Sequence, residues 1–253
     1  MKNHRLTVEA VKNHAELFPQ HESKLQQTDP EFIALFDNWA FDEVFQDGPL
    51  EVKLRLMVQF AALIASHAVA EYRVMLGAAL QVGVTPIEIK EIVYQAVPYT
   101  GVARVFDFLH VTNQVLAEHG IPLPLPGQST TDPQTRHARG LEIQKQLLGA
   151  RIDEMYAKSP PDLLHIQRYL SANCFGDYLT RTGLDLRTRE LLTLAMLAAL
   201  GGCEAQLAGH VTANLAAGND RKTLISVVTH LLPFIGYPRA LNALRMINEG
   251  TSQ

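Results

Sequence analysis

The chain has 253 residues, a formal net charge of −4 at neutral pH, 47% hydrophobic residues and 19% charged residues. This balance is typical of a globular protein with a full core, and the absence of a Lys/Arg block argues against nucleic-acid binding. The N-terminus has no apolar signal region and no stretch approaches 18 consecutive apolar residues, so we expect a cytoplasmic protein that does not enter membranes. Two cysteines, Cys174 and Cys203, are too few for a disulfide scaffold or a four-cysteine zinc site.

The elements predicted along the chain are helices. The segments LEVKLRLMVQFAALIA (50–65) and LRTRELLTLAMLAAL (186–200) are rich in Leu, Ala and Met, with apolar positions at spacings of three and four. Thr85 and Asp185 are predicted N-caps, and Pro86 fits the first position of a helix. Between the two halves, residues 121–136 are rich in Pro, Gly, Ser and Thr, which predicts an exposed linker.

The two sides of this linker repeat each other. The segment LQVGVTPIEIKEIVYQAVPYTGVAR (80–104) parallels LAAGNDRKTLISVVTHLLPFIGYPR (215–239), with Gly, Pro and Arg residues in step. Such a period predicts two similar all-α bundles, 1–120 and 137–253. Because the most apolar helices must be buried and each half is small, we expect the two copies to pack together.

The second half resembles the carboxymuconolactone decarboxylase family. The resemblance rests on RGLEIQKQLLG (139–149), on the stretch 175–201, on a QLxxHxxxxL pattern from Gln206 to Leu215, and on GYPRALNAL (236–244). The first half is similar to a more diverged copy. The family includes AhpD-like alkyl hydroperoxidases, so the resemblance implies an all-helical fold, a homo-oligomer and two alternative chemistries. A trimer of tandem chains would mimic a hexamer of single-domain relatives.

One alternative is a thiol peroxidase with antioxidant, peroxiredoxin-type activity. The resemblance places Cys203 at the first thiol of a CxxC motif and His210 at the histidine that follows it, but Gln206 replaces the second thiol. One cysteine cannot close an intramolecular CxxC disulfide, so Cys174 or an external thiol would have to resolve it. The other interpretation of Cys203 is a small buried hydrophobic residue.

The other alternative is a lyase of the decarboxylase type that needs no cofactor and no metal. His210 is the candidate proton shuttle, because imidazole titrates near neutrality. The resemblance implies a glutamate four residues before the histidine, where this chain has Gln206. Glu204 points away on a regular helix, unless the segment kinks. Glu71 carries an acid at the matching position of the first copy, so Glu71 and His210 form a composite site or the first copy is scaffold.

Two arginines complete the candidate site. Arg187 and Arg189 lie at the start of a helix, where a cation opposes the dipole and therefore needs an acidic partner or an anionic substrate. Glu190 follows Arg189 and is one candidate partner. The predicted substrate is a small carboxylated, lactone-type molecule. A non-catalytic binding or scaffold protein is the third alternative.

Overall fold

A computed structural model describes residues 5–19 and 23–252, and this part of the chain contains helices and no strand. The predicted all-α class is confirmed. The helices of the first repeat are α1 (Val8–Leu17), α2 (Leu25–Thr28), α3 (Pro30–Asn38), a π-helical turn (Trp39–Glu43), α4 (Val44–Asp47), α5 (Val52–Ala65), α6 (Val69–Gln81), α7 (Pro86–Thr100) and α8 (Val102–Glu118).

The second repeat has a similar order of helices after the linker, without a counterpart of α4. Its elements are α9 (Arg136–Leu148), α10 (Arg151–Lys158), α11 (Leu164–Tyr169), a π-helical segment (Leu170–Leu179), α12 (Leu186–Leu200), α13 (Glu204–Ala216) and α14 (Arg221–Thr251). Gly236 divides α14 with a φ of 76°, as Gly101, with a φ of 82°, separates α7 from α8. Glycine adopts this left-handed conformation without a Cβ clash, so α14 corresponds to α7 and α8 together.

The predicted caps form. The side chain of Asp185 accepts a hydrogen bond from the backbone N–H of Thr188 at 2.7 Å. Thr85 and Glu88 form a reciprocal capping box at the start of α7, and Pro86 occupies its first turn. These local signals fix where the helices of both repeats begin.

The two repeats share one hydrophobic core, so the prediction that they pack together is confirmed. Helix α5 of the first repeat lies against α12 of the second, and nearly every residue of both helices is buried. A helix that is apolar on all sides needs neighbours on all sides, and each repeat supplies them to the other.

Polar contacts across this core follow an approximate two-fold relation. The Gln95 side chain of α7 donates to the Thr193 hydroxyl at 3.0 Å. At the positions equivalent in the other repeat, the Gln59 side chain donates to the backbone carbonyl of His230 at 3.3 Å. Each repeat therefore packs the helix that precedes its glycine turn, which is α7 or the first part of α14, against the central helix of the other repeat.

The linker is extended but ordered. Residues 121–135 form no helix, and the backbone N–H of Thr182 donates to the Gln128 carbonyl at 3.0 Å. The domain limits 1–120 and 137–253 stay predictions, because both halves contribute to one core. Residues 1–4 of the first predicted domain and residue 253 of the second lie outside the described residues.

Within the described residues, α14 alone is long and apolar enough by length and composition to cross a membrane. This is weak evidence, because the core helix of a folded domain passes the same test. Gly236 bends α14, and its buried residues, among them Leu224, Val227, Leu231 and Ile247, belong to the shared core.

Candidate active site

A buried carboxylate and a histidine pair in the second repeat. The Nδ1 atom of His210 on α13 lies 2.8 Å from Oε2 of Glu190 on α12. Glu190 has no solvent exposure, and its second oxygen, Oε1, has no hydrogen-bond partner among the described residues. A carboxylate at Nδ1 fixes the orientation of the ring, so Nε2 is the nitrogen available to a bound molecule.

His210 lines a cavity of about 700 Å³. The walls come from α9, α10, the π-helical segment, α12 and α13 of the second repeat and from the end of α7. Many of the lining residues are apolar: Pro98, Leu148, Ile152, Met155, Leu170, Phe175, Leu197 and Leu200. The polar lining side chains are fewer: Tyr99, Gln144, Arg151, Cys174, Cys203, Gln206 and His210. This combination is typical of a site for a small organic molecule.

Two further predicted residues lie in this cavity and one does not. Cys203 and Gln206 line it beside His210. Glu204 is not among its lining residues, and its carboxylate accepts a hydrogen bond from the Asn242 side chain at 3.2 Å. Thus Gln206 remains within reach of a bound molecule, whereas Glu204 does not supply the acid.

The structure does not bring Glu71 to His210. Glu71 is exposed on α6 and is not among the residues lining the cavity. The carboxylate that hydrogen-bonds His210 belongs instead to Glu190, which the sequence indicated as a candidate partner of Arg189. The first repeat does line the cavity, but with Pro98 and Tyr99 of α7 rather than with Glu71.

The two predicted substrate-binding arginines are held by protein groups. Arg189 is buried and donates to Glu91 of α7 at 2.9 Å. Arg187 donates to the Asn219 side chain at 2.9 Å. Neither arginine lines the cavity around His210, so the structure places both away from a substrate bound there.

Sequence reasoning missed this role for two residues that line the cavity, Tyr99 and Arg151, and for Glu190, which lies behind His210. Arg151 begins α10 and is the one arginine or lysine among the lining residues. The Tyr99 ring packs edge-on against His210, with ring centroids 5.7 Å apart. The sequence offered a signal for Glu190, because it is the one acidic residue of the largely apolar helix α12. No local signal identifies Tyr99 or Arg151.

Both thiols of the cavity are weak acids. Burial raises the pKa of Cys174 to about 12, with a further contribution from the charge of Glu190. Burial, and then the charge of Glu204, raises the pKa of Cys203 above its ordinary value. The Cys203 thiol donates to the Leu197 carbonyl at 3.4 Å. The thiolate is the nucleophilic form, so neither environment activates its cysteine.

The equivalent position in the first repeat is closed. Leu56 and Met75 occupy the positions of Glu190 and His210, and both are buried. Phe234 replaces Tyr99, and it lines a void of about 10 Å³ together with Phe41 and Phe45. Of these two equivalent positions among the described residues, the one in the second repeat therefore presents polar groups to an open cavity.

The comparisons with known proteins agree with the duplication. The model of the carboxymuconolactone decarboxylase family matches the chain twice, at residues 30–114 and 165–249. The chain is also similar to a 4-carboxymuconolactone decarboxylase of Acinetobacter baylyi (strain ATCC 33305 / BD413 / ADP1). The two are 29% identical over 117 residues, which is 46% of this chain and 87% of that protein.

The family match covers the part of each repeat from α3 into α8 and from α11 into α14, and it leaves out α1, α2, α9 and α10. Its two segments contain the aligned pairs Leu56 and Glu190, and Met75 and His210. The chain belongs to the carboxymuconolactone decarboxylase family and carries the family domain twice in tandem.

Proposed function

We propose that the protein is a cofactor-free acid–base enzyme of the decarboxylase type, acting on a small carboxylated, lactone-type molecule. The observation that carries the proposal is the His210–Glu190 pair at the wall of an apolar cavity. A histidine oriented by a buried carboxylate is a common arrangement for proton transfer. The similarity to the 4-carboxymuconolactone decarboxylase of Acinetobacter baylyi supports this substrate class.

The proposed step transfers one proton. The bond between the substrate's carboxylate carbon and its ring breaks, CO2 leaves, and the electron pair moves into the conjugated, unsaturated lactone. Protonated His210 then gives the proton on Nε2 to the ring carbon. Glu190 accepts the hydrogen bond from Nδ1–H and stabilises the imidazolium before the transfer.

Two groups are suited to hold the substrate's carboxylates. Arg151 lines the cavity and takes part in none of the ion pairs found among the described residues. The N-terminus of α13 also borders the cavity, and its cap residue, Cys203, makes no side-chain hydrogen bond to the first turn. Free backbone N–H groups at a helix start favour an anion.

The neutral side chain at position 206 does not remove acid–base chemistry. Glu190 supplies a carboxylate to His210 from the neighbouring helix, so Gln206 is free to hydrogen-bond a substrate. The thiol peroxidase alternative lacks such support, because the pKa values of Cys203 and Cys174 are both raised. We therefore do not adopt it.

The test is release of CO2 from 4-carboxymuconolactone by the full chain. The wild type is compared with His210→Gln and with Arg151→Gln. We expect His210→Gln to lower kcat by about a hundredfold or more, since general acid–base catalysis contributes about 10²- to 10⁴-fold. Arg151→Gln is expected to raise KM more than it lowers kcat.

The matched control is His110→Gln, which removes an exposed histidine of α8 whose ring contacts Phe106. It should keep the activity of the wild type. Turnover that survives in His210→Gln would contradict the assigned role of the histidine. A wild type without turnover would exclude this lactone as substrate.

A further inference from the structure

A second cavity lies outside the candidate active site. It has a volume of about 380 Å³ and is enclosed by α7, α8, the turn around Arg181 and the linker residues 123–128. Its polar lining comes from Lys90, Tyr94, Asn113 and Arg181, together with Glu91. None of these residues lines the cavity around His210.

The charges of this cavity do not balance. Glu91 is buried and is its single lining carboxylate, and it pairs with Arg181 and Arg189, both at 2.9 Å. One carboxylate therefore faces two guanidinium groups. The cluster carries excess positive charge before the ammonium group of Lys90 is counted.

Lys90 has no carboxylate partner among the described residues. Its ammonium group hydrogen-bonds the neutral Oδ1 of Asn113. Burial lowers the pKa of Lys90 from its ordinary value, and no neighbouring acid opposes the shift. Removing an unpaired ammonium from water is costly, so such a lysine is suited to receive an anion.

Both cationic groups line this cavity and lie near the same aromatic ring. The Lys90 ammonium lies 5.9 Å and the Arg181 guanidinium 5.2 Å from the centre of the Tyr94 ring. The remaining walls are apolar, from Ile87 and from the Leu and Pro residues of segment 123–128. An organic body fits such walls better than a bare inorganic ion does.

Hydrogen bonds fix the linker segment that covers this cavity. Its roof, segment 123–128, is tied down at Gln128, whose backbone carbonyl accepts from the N–H of Thr182 at 3.0 Å. Nearby, the Thr130 hydroxyl donates to the Thr180 carbonyl at 2.9 Å. A preorganised site binds with less loss of conformational entropy.

We propose that this cavity binds a small organic dianion with two carboxylates, one at Lys90 and one at Arg181. The site is distinct from the cavity of His210 and does not depend on the proposed decarboxylase activity. When Arg181 donates hydrogen bonds to the ligand, Glu91 still accepts a hydrogen bond from Arg189.

The test is isothermal titration calorimetry on the full chain with phthalate as the probe. Benzoate, a monoanion of similar body, and inorganic phosphate are titrated in parallel. We expect phthalate to bind more tightly than either. Lys90→Gln should weaken phthalate binding about tenfold or more, because it removes a charge-assisted hydrogen bond.

Two further variants keep the test decisive. Asn113→Asp leaves Lys90 in place but gives it an internal carboxylate, and it should also weaken phthalate binding. Lys158→Gln removes an exposed lysine paired with Glu154, and it should bind as the wild type does. Circular dichroism verifies that each variant is folded.

Four outcomes would overturn the proposal. Phthalate does not bind; or it binds equally to Lys90→Gln; or Arg151→Gln rather than Lys90→Gln abolishes binding, which would place the ligand beside His210. Finally, inorganic phosphate or benzoate binding as tightly as phthalate would contradict an organic dianion with two carboxylates.

Discussion

The two repeats place the same helices around two very different cavities. In the second repeat, Glu190 and His210 face each other at 2.8 Å beside a cavity of about 700 Å³. In the first, Leu56 and Met75 stand at these positions and the void is about 10 Å³. The helices that frame both positions are retained, so the difference arises from side chains rather than from the fold.

The two repeats contribute different side chains to the molecule. In the first repeat, Phe36, Phe41 and Phe45 join Phe234 of the second repeat in a chain of ring contacts 6.0 to 6.3 Å apart. Aromatic side chains bury large areas, so this cluster stabilises the shared core. The first repeat gives its partner Tyr99 and the buried face of α5, while the second repeat holds the candidate chemistry.

The largest effect is expected when the second repeat receives the side chains that the first repeat has at the two equivalent positions. The double variant Glu190→Leu/His210→Met should lose activity by about a hundredfold or more, since both proton-handling groups are gone. Its free energy of unfolding should be unchanged or higher, because apolar residues often replace a buried polar pair without cost. CO2 release and urea unfolding measure the two effects.

The control for this exchange is Met75→Leu, which alters the closed position and should leave activity unchanged. Activity that persists in the double variant, or falls as far in Met75→Leu, would contradict a division of work between the repeats.

The equivalent arginines of the two central helices should differ in their contribution to stability. Arg189→Met leaves Glu91 with Arg181 as its remaining cation, and we expect a loss of about 3 kcal/mol, the lower end for breaking a buried pair. Arg55 lies over the Phe45 ring at 3.5 Å and has no ion pair among the described residues. Arg55→Met should therefore cost about 1 kcal/mol. Equal losses in urea unfolding would refute this distinction.

Much of the fold could be predicted from the sequence. The glycine, proline and arginine residues in register revealed the duplication, and Thr85 and Asp185 capped helices as expected. These signals are local, so a sequence carries them directly. The sharing of one core by the two repeats also followed, because a helix such as 186–200 is too apolar to face water.

The candidate site was only partly predictable. His210 and Cys203 were identified through the resemblance to the family, but the carboxylate that pairs with His210 lies on another helix, at a distance that sequence spacing does not encode. The arginines show the same limit. Arg189 was expected to meet Glu190 or a substrate, and the structure pairs it with Glu91 of the other repeat.

The stability of the protein should fall at mildly acidic pH through His230. Burial lowers the pKa of His230 to about 4, from an ordinary value of 6.5. Above pH 6.5 the group is neutral in both states and costs nothing. Between pH 6.5 and 4 the unfolded chain binds a proton that the folded chain does not, so stability is lost as pH falls, by about 3 kcal/mol at pH 4.

The variant His230→Gln gives this position the side chain of its counterpart, Gln95. Its free energy of unfolding, measured in urea at pH 7 and pH 4.5, should change less with pH than that of the wild type. A wild type and variant with the same pH dependence would show that His230 does not contribute.

The smallest expected effect concerns the thiol of Cys203. Because its pKa is raised, the thiolate fraction at pH 7 is small, and iodoacetamide should alkylate Cys203 more slowly than it alkylates free cysteine. The rate should rise as the pH passes the ordinary value for a thiol. Rapid alkylation of Cys203 well below pH 8 would reopen the peroxidase alternative. Mass spectrometry of the labelled peptide, with Cys203→Ser as control, measures this rate.

The central claim is that Glu190 and His210 act as one unit, and a double-mutant cycle on CO2 release from 4-carboxymuconolactone tests it most directly. The variants are Glu190→Gln, His210→Gln and the two together. Residues that act as a unit are non-additive, so we predict that the double variant loses about as much activity as His210→Gln alone. Losses that multiply, or a Glu190→Gln variant with the activity of the wild type, would contradict the pairing as the basis of function.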